Sequence, residues 1–457
     1  MLVHLTGSSD LNKIFVILFV AFCSNIFAGE ANLKNVIIIS VDTLRADHLS
    51  CYGYPIKTSP AIDDLSRDGV RFSRCFTITP LTSPGFSTML TSLPPYKHGS
   101  KRNGLPIFKH IRTLPYFLKK YNYCSSAFIS NWPLRKNLSG LHRDFDSYYE
   151  VFNKKRWFGL LNSEGRAKEV TKRAIKWLEN HHKKRIFLWV HLSEPHAPYV
   201  SHKKFDFDIK KIDLFYYPPG TKFSKIKKYD SEIAFTDFYI GKLIEKIKEL
   251  GIYHDSLIIF NSDHGESFGE HNYFKHGRKL YDSCLHVPLI IKLPGNRLKN
   301  STQNENVSIL DLSPTILSIL KLQIPEYMEG SALFDKRVKL REAIYFEAYK
   351  GAVITKRSTK FHIKVYPKKF GILQGSIKLI YTCRKKTIEA YSIKDDRFEL
   401  RDLYMENPKE YYNLKILLMN RIKKVEKYIQ HSKKYFKKRS NLSKEDIEKL
   451  KTLGYIH

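Results

Sequence analysis

The segment NVIIISVDTLRADHL, residues 35–49, constrains this chain most: a continuous β-branched run that stops abruptly at acidic residues. Apolar side chains on both faces predict a strand buried on both sides, as in a parallel sheet, with a functional loop at its carboxyl end. The pattern repeats. SPAIDDLSRDG reads as a helix stopped by Gly69, CSSAFIS as a strand and GRAKEVTKRAIKWLENH as an amphipathic helix. RIFLWVHL is then a strand, DSEIAFTDFYIGKLIEKIKELG a long helix ending at Gly251, and DSLIIFNSDHGE another strand with a polar end. Strands alternating with helices imply an α/β fold, a mostly parallel sheet flanked by helices. Between strand and helix, Ser201 to Lys228 is rich in lysine and aromatics, carries YYPPG, and reads as an irregular surface excursion.

Beyond about residue 335 the character changes. EAIYFEAYKGAVITKRSTKFHIKVY and SIKLIYTCRKKTIEAYSI read as short antiparallel strands, then a turn at LYMENPKEYYNL and basic helices to the end. The expected organisation is a leader over residues 1–28, a catalytic domain over 29–335, and a small antiparallel C-terminal subdomain with a helical tail over 336–457. In the leader, Lys13 precedes the apolar run IFVILFVAF, and NIFA ends at Ala28, a small residue suited to cleavage. Export to the periplasm or the medium is expected, an uncleaved N-terminal anchor being the alternative. Past the leader, nothing approaches the roughly 20 apolar residues of a membrane helix.

At 457 residues the chain is neither a disordered segment nor a stapled mini-protein. Cys51, Cys75, Cys124, Cys284 and Cys383 are scattered without a C-x-x-C pair, which excludes a zinc cluster or disulfide framework; one Cys51–Cys75 bridge is compatible. The formal charge of +33 favours anionic partners, a polysaccharide or a lipid headgroup, or is a solvated lysine-rich surface. No nucleic-acid motif accompanies it.

Three strand ends deliver groups suited to chemistry: Asp42, His196 in SEPHAPY, and Asp263 with His264 in NSDHGE. Carboxylates and imidazoles converging there suit a divalent cation. Singly, each reads equally as a cap or turn residue.

Together they resemble the sulfatase family of the alkaline phosphatase superfamily. Seven segments match in order: NVIIISVDTLRADHLSCYGY, SPAIDDLSRDGVRF, LTSPGFSTMLTSLPPYKHG, EPHAPY, SDHGESFGEHNYFKHG, HVPLIIKLPG and LSKEDIEKLKTLGYIH. The resemblance implies an alkaline-phosphatase-like core and hydrolysis of sulfate or phosphate-type esters. The family's nucleophile motif is C-x-P-S-R or S-x-P-S-R; setting Pro84 on its proline places Thr82 at the nucleophile, Gly85 at the serine and Phe86 at the arginine. Formylglycine is therefore not expected, and Phe86 cannot supply the arginine's charge. Superfamily relatives with a threonine attack phosphorus directly, so Thr82 tilts the chemistry toward phosphodiesters, phosphonates or phosphoryl transfer. A capping role for Thr82 at a helix start stays open.

Further departures accompany this one. Where the family has a lysine- and histidine-bearing segment, SNWPL offers Asn131, Trp132 and Pro133, and Thr43 replaces a second aspartate beside Asp42. The resemblance implies one divalent metal held by Asp42, Thr82, Asp263 and His264; Ca²⁺ suits the oxygens, and Zn²⁺ or Mn²⁺ suit the added nitrogen. It also makes His196 the substrate-side histidine, His276 the group that neutralises the transferred group or aids its leaving oxygen, and Arg45 and Asn131 substrate contacts. His286, where an arginine commonly precedes V-P, reads as structural. Sulfate hydrolysis without formylglycine, and a non-catalytic protein that binds anionic glycan or lipid, are the competing readings.

Overall fold

The computed structural model describes residues 35–156, 161–164, 166–207, 217–337, 340–349 and 366–431. Eight strands form the main sheet: β1 (Asn35–Val41), β2 (Val70–Phe72), β3 (Cys124–Ile129), β4 (Ser147–Glu150), β5 (Ile186–Leu192), β6 (Ser256–Ser262), β7 (Leu289–Lys292) and β8 (Ser301–Gln303). Their spatial order is β8-β2-β7-β6-β1-β5-β3-β4, and only β7 runs antiparallel to its neighbours. The mostly parallel α/β sheet read from the sequence is thus present.

Helices α1 (Pro60–Arg67), α2 (Thr82–Thr91), α3 (Ala167–His181), α4 (Phe223–Glu249) and α5 (Leu312–Ile319) cover it. Alternate residues of β1 enter two separate cores. Ile37, Ile39 and Val41 pack with Val170, Trp177 and Leu178 of α3 and Ile233, Ile240 and Leu243 of α4. Val36 and Ile38 pack with Phe86, Met89 and Leu90 of α2 and Ile316 and Leu317 of α5. Because each such side chain contributes about 1.5–3 kcal/mol when fully buried, both faces of β1 are tightly specified.

The surface excursion is shorter than the sequence suggested. Helix α4 begins at Phe223, seven residues before Asp230, since nothing after Gly220 breaks it and Ile226 and Tyr229 extend its buried face. In the C-terminal part, β9 (Ile344–Tyr349), β10 (Pro367–Gln374), β11 (Ile377–Thr382) and β12 (Thr387–Ser392) form an antiparallel sheet, followed by α6 (Tyr412–His431). The sequence reading missed β10, whose alternation is blunted by two lysines and a glycine.

This second sheet is docked on the first layer. Phe346 and Ala348 share a core with Phe76, Ile78 and Leu285, and Glu347 N–H donates to Ile78 C=O at 2.9 Å. Lys378, fully buried, pairs with Asp282 at 2.5 Å and with Glu399. Cys51 and Cys75 are free thiols, so the compatible bridge is not formed. Among the described residues no helix is long and apolar enough to cross a membrane. The expected leader, residues 350–365 and the closing motif lie outside the described residues.

Candidate active site

Register builds the site. Parallel β1 and β6 pair Val41 with Ser262, so the next residue of each strand, Asp42 and Asp263, emerges side by side at the sheet's carboxyl edge. Both are fully buried. Each carboxylate has one oxygen engaged and one bare. Asn131 Nδ2 donates to Asp42 Oδ2, and Thr43 N–H donates to Asp263 Oδ1 at 3.3 Å. Asp42 Oδ1 and Asp263 Oδ2 accept no hydrogen bond from the described residues. Thr43 delivers its N–H from a left-handed backbone, φ 55°, which a β-branched residue adopts only under constraint.

His264 completes the set. Its Nδ1 donates to Gly265 C=O at 2.9 Å, which leaves the lone pair on Nε2, 3.3 Å from Asp263 Oδ2 and 3.9 Å from Asp42 Oδ1. Burial, then the neighbouring His276 charge, pushes the imidazole down to about 3, so it is neutral under ordinary conditions. Ligand atoms of Asp42, Asp263 and His264 all lie within 4.8 Å of one another. An unsatisfied buried oxygen costs about 1–3 kcal/mol, and two beside an unprotonated imidazole nitrogen fit a divalent cation. The mixed oxygen and nitrogen donors leave Ca²⁺, Zn²⁺ and Mn²⁺ all admissible.

Thr82 is the first residue of α2, behind Leu81 at the N-cap, and its hydroxyl caps nothing. Thr82 Oγ1 instead lies 3.4 Å from His264 Nε2. The helix reaches the carboxylate-bearing edge because of Gly85: a Cβ there would sit 3.0 Å from Asp263 C=O and 3.1 Å from Asp263 Cβ. Asn103, buried and absent from the sequence reading, accepts from Ser83 N–H at 2.9 Å and fixes the helix start.

Two histidines close the other side. The His276 ring lies 4.3 Å from that of His264 and 5.4 Å from that of His196, centroid to centroid. His276 Nδ1 meets Glu266 Oε1 at 3.2 Å, and Tyr199 OH donates to Glu266 Oε2 at 2.7 Å. Burial would raise the Glu266 carboxyl, but the His276 charge and these two hydrogen bonds hold it below its usual range. Glu266 was missed as well, although its place two residues after His264 was a usable signal.

Arg45 does not join them. Its guanidinium pairs with Asp47 at 2.8 Å and Glu270 at 2.6 Å and also donates to Glu266 C=O at 3.0 Å. Two carboxylates already answer its charge, and an anion reaching Arg45 would have to compete with them. Asn131 is in the site but spends an amide hydrogen on Asp42. His286 donates to Ser73 C=O at 2.9 Å, a structural contact. His191 of β5, also missed, lies 3.4 Å from Asp42 Oδ2.

The His196 turn carries a pH prediction. Glu194, buried, accepts from Ala167 N–H at 3.1 Å, and burial followed by the Glu232 charge pushes its carboxyl up to about 8, from 4.5. Between those values the folded protein holds a proton that the unfolded chain has lost. Stability therefore falls as pH rises through that window, by up to about 1.4 kcal/mol per unit. Glu194→Gln keeps the acceptor and removes the proton. Denaturant unfolding from pH 5 to 8 is expected to show the variant matching wild type at the acid end and exceeding it at pH 8; parallel curves would refute this.

A mostly parallel sheet whose edge gathers two carboxylates, an imidazole and a hydroxyl defines an ester hydrolase with an alkaline-phosphatase-like fold. The sulfatase family model matches residues 34–322, and the model for the C-terminal part of N-sulphoglucosamine sulphohydrolase matches residues 269–428. The chain belongs to the sulfatase family. It is 22% identical over 488 residues to N-acetylglucosamine-6-O-sulfatase of Bacteroides thetaiotaomicron, covering 84% of this chain and 85% of the relative. Phosphonate monoester hydrolase of Agrobacterium radiobacter superposes with TM-score 0.70 at 20% identity, over 87% of this chain and 96% of that one. A protein solved with its substrate D-glucosamine-2-N,6-O-disulfate superposes with TM-score 0.67 at 20% identity, over 89% and 100%.

Proposed function

We propose that the protein is an exported hydrolase of phosphorus esters, diesters or phosphonates, in which Thr82 is the nucleophile. The observation that carries this reading is the Thr82 hydroxyl, uncapped, buried and 3.4 Å from the Nε2 that faces both bare carboxylate oxygens. Asp42, Asp263, His264 and Thr82 would hold the divalent cation, which when bound acidifies a hydroxyl and neutralises equatorial oxygens. Thr82 Oγ1 gives up its proton to solvent and attacks phosphorus, the bond to the leaving oxygen breaks, and that oxygen takes a proton from His276, while His196, whose imidazole burial holds below its usual range, contacts the transferred group. Water then attacks the phosphorus of the threonine ester and frees Thr82. A threonine ester lacks the aldehyde-forming collapse open to formylglycine, which favours a bond that water can cleave at phosphorus. Phe86 and the SNWPL segment lack the family's cationic sulfate contacts, which supports the same choice.

Sulfate-ester hydrolysis is the second reading, favoured by the sulfatase relative. The test is turnover of p-nitrophenyl sulfate, phosphate, phosphodiester and phosphonate esters with Ca²⁺, Mn²⁺ or Zn²⁺ added singly. Phosphodiester or phosphonate turnover is expected; sulfate turnover alone would overturn the reading.

A further inference from the structure

Two residues have no part in the chemistry so far: Phe86, a core side chain of α2 that stands where the family motif has an arginine, and His191, a lone imidazole in an apolar strand. The fold brings them together. Both are fully buried, and their rings meet edge to face with centroids 5.0 Å apart and planes at 82°. Trp189 of the same strand stands 5.3 Å from Phe86 and 6.1 Å from His191, so the imidazole is walled by two aromatics.

The wall fixes which way the ring faces. Ser130 N–H points at His191 Nδ1 from 3.5 Å, and Ser130 Oγ donates to His191 C=O at 2.9 Å. With Nδ1 as acceptor the ring proton sits on Nε2, which lies 3.4 Å from Asp42 Oδ2 without the alignment of a hydrogen bond, so the contact is an electrostatic one. Asn131 donates to the same oxygen. A carboxylate is free to swing about its last torsion, presenting either oxygen or both. One hydrogen bond from Asn131 and the nearby His191 N–H, both on the Oδ2 side, restrict that freedom and leave Oδ1 toward His264 and Asp263.

We infer that His191, braced by Phe86, is a positioning residue that fixes Asp42 as a one-oxygen metal ligand. The inference rests on the metal reading of Asp42, Asp263 and His264, but not on the identity of the ester. It also gives Phe86 a function of its own: the site that carries an arginine in the family motif here carries the wall that holds a ligand's partner. His191 does not touch the reacting atoms, so its effect is on affinity for the cation before any substrate arrives.

The test uses the full chain stripped with chelator and titrated with Mn²⁺ alone, free Mn²⁺ being read by electron paramagnetic resonance. His191→Leu keeps a side chain of similar size but removes both ring nitrogens, and is expected to weaken Mn²⁺ binding about 10–100-fold. His191→Gln restores an N–H donor near the Nε2 position and is expected to stay within about threefold of wild type. Phe86→Leu opens the wall without charge and is expected to cost about 3–10-fold, which keeps the test decisive if His191→Leu fails to fold. Equal Mn²⁺ affinity in wild type, His191→Leu and Phe86→Leu would show an ordinary core histidine and overturn the proposal, as would a glutamine variant as weak as the leucine one. A wild-type chain that binds none of Ca²⁺, Mn²⁺ and Zn²⁺ overturns both the metal reading and this inference. Normal metal binding with no phosphorus-ester turnover overturns the proposed function alone.

Discussion

Thr82→Ala is expected to lower kcat on the best ester by at least about 10³-fold while changing Mn²⁺ affinity by less than about tenfold. The asymmetry follows from the geometry. Three of the four proposed metal ligands, Asp42, Asp263 and His264, remain after the substitution, and their bare atoms already lie within 4.8 Å of one another. What disappears is the only hydroxyl shown within hydrogen-bond range of His264 Nε2 among the described residues. Loss of the hydroxyl leaves α2 intact, because the residue caps nothing and alanine is the better helix former. Thr82→Ser is expected to retain part of the rate, since the hydroxyl survives with a less restricted rotamer. Rapid quench with a slow phosphodiester should show a phosphorylated Thr82 peptide in wild type and none in the alanine variant. A Thr82→Ala enzyme at wild-type rate would transfer the attack to water and end the threonine mechanism.

The parts of this site legible in the sequence were those that sit at strand ends. Asp42, Asp263 and His264 each follow an apolar run, and a run long enough to be a buried strand announces where its polar end must emerge. Pairing between strands was not legible: nothing in the chain states that Val41 lies beside Ser262, or that Ser40 lies beside His191. His191 was lost for that reason, since one imidazole inside FLWVHL reads as a satisfied core residue. Asn103 was lost because its work is done on a helix twenty positions away. Arg45 was legible as a cation near the site but not as a paired one. A cation after a strand end suggests an anion contact, yet Asp47, two residues on, already offered the partner that the fold uses. The helices were read well where they follow a turn signal, as at Pro60, and poorly where no signal marks the start, as at Phe223.

Asp263→Asn is expected to move stability and function in opposite directions, and the sign depends on the cation. Burial, then the Asp42 charge, pushes the Asp263 carboxyl well above its ordinary range, so the ionised form needed for a ligand is disfavoured in the metal-free protein. Asparagine keeps Oδ1 for Thr43 N–H and places a neutral N–H₂ where Oδ2 stood, facing Asp42 Oδ1 and the His264 lone pair. Wild type must take up a proton at Asp263 to present such a donor, at a cost that grows with pH above the free carboxyl's range, whereas asparagine presents it without one. In chelator, the variant should be more stable than wild type by about 1–3 kcal/mol. With cation at a thousandfold over its dissociation constant, wild type should gain about 4.1 kcal/mol and the variant almost nothing, reversing the order. Ester turnover should fall by at least about 10³-fold. Denaturant unfolding of both chains with chelator and with Mn²⁺ decides it. A variant less stable than wild type in chelator would mean that Asp263 is held for the fold. Stabilisation of both chains by Mn²⁺ to the same degree would mean the cation binds elsewhere.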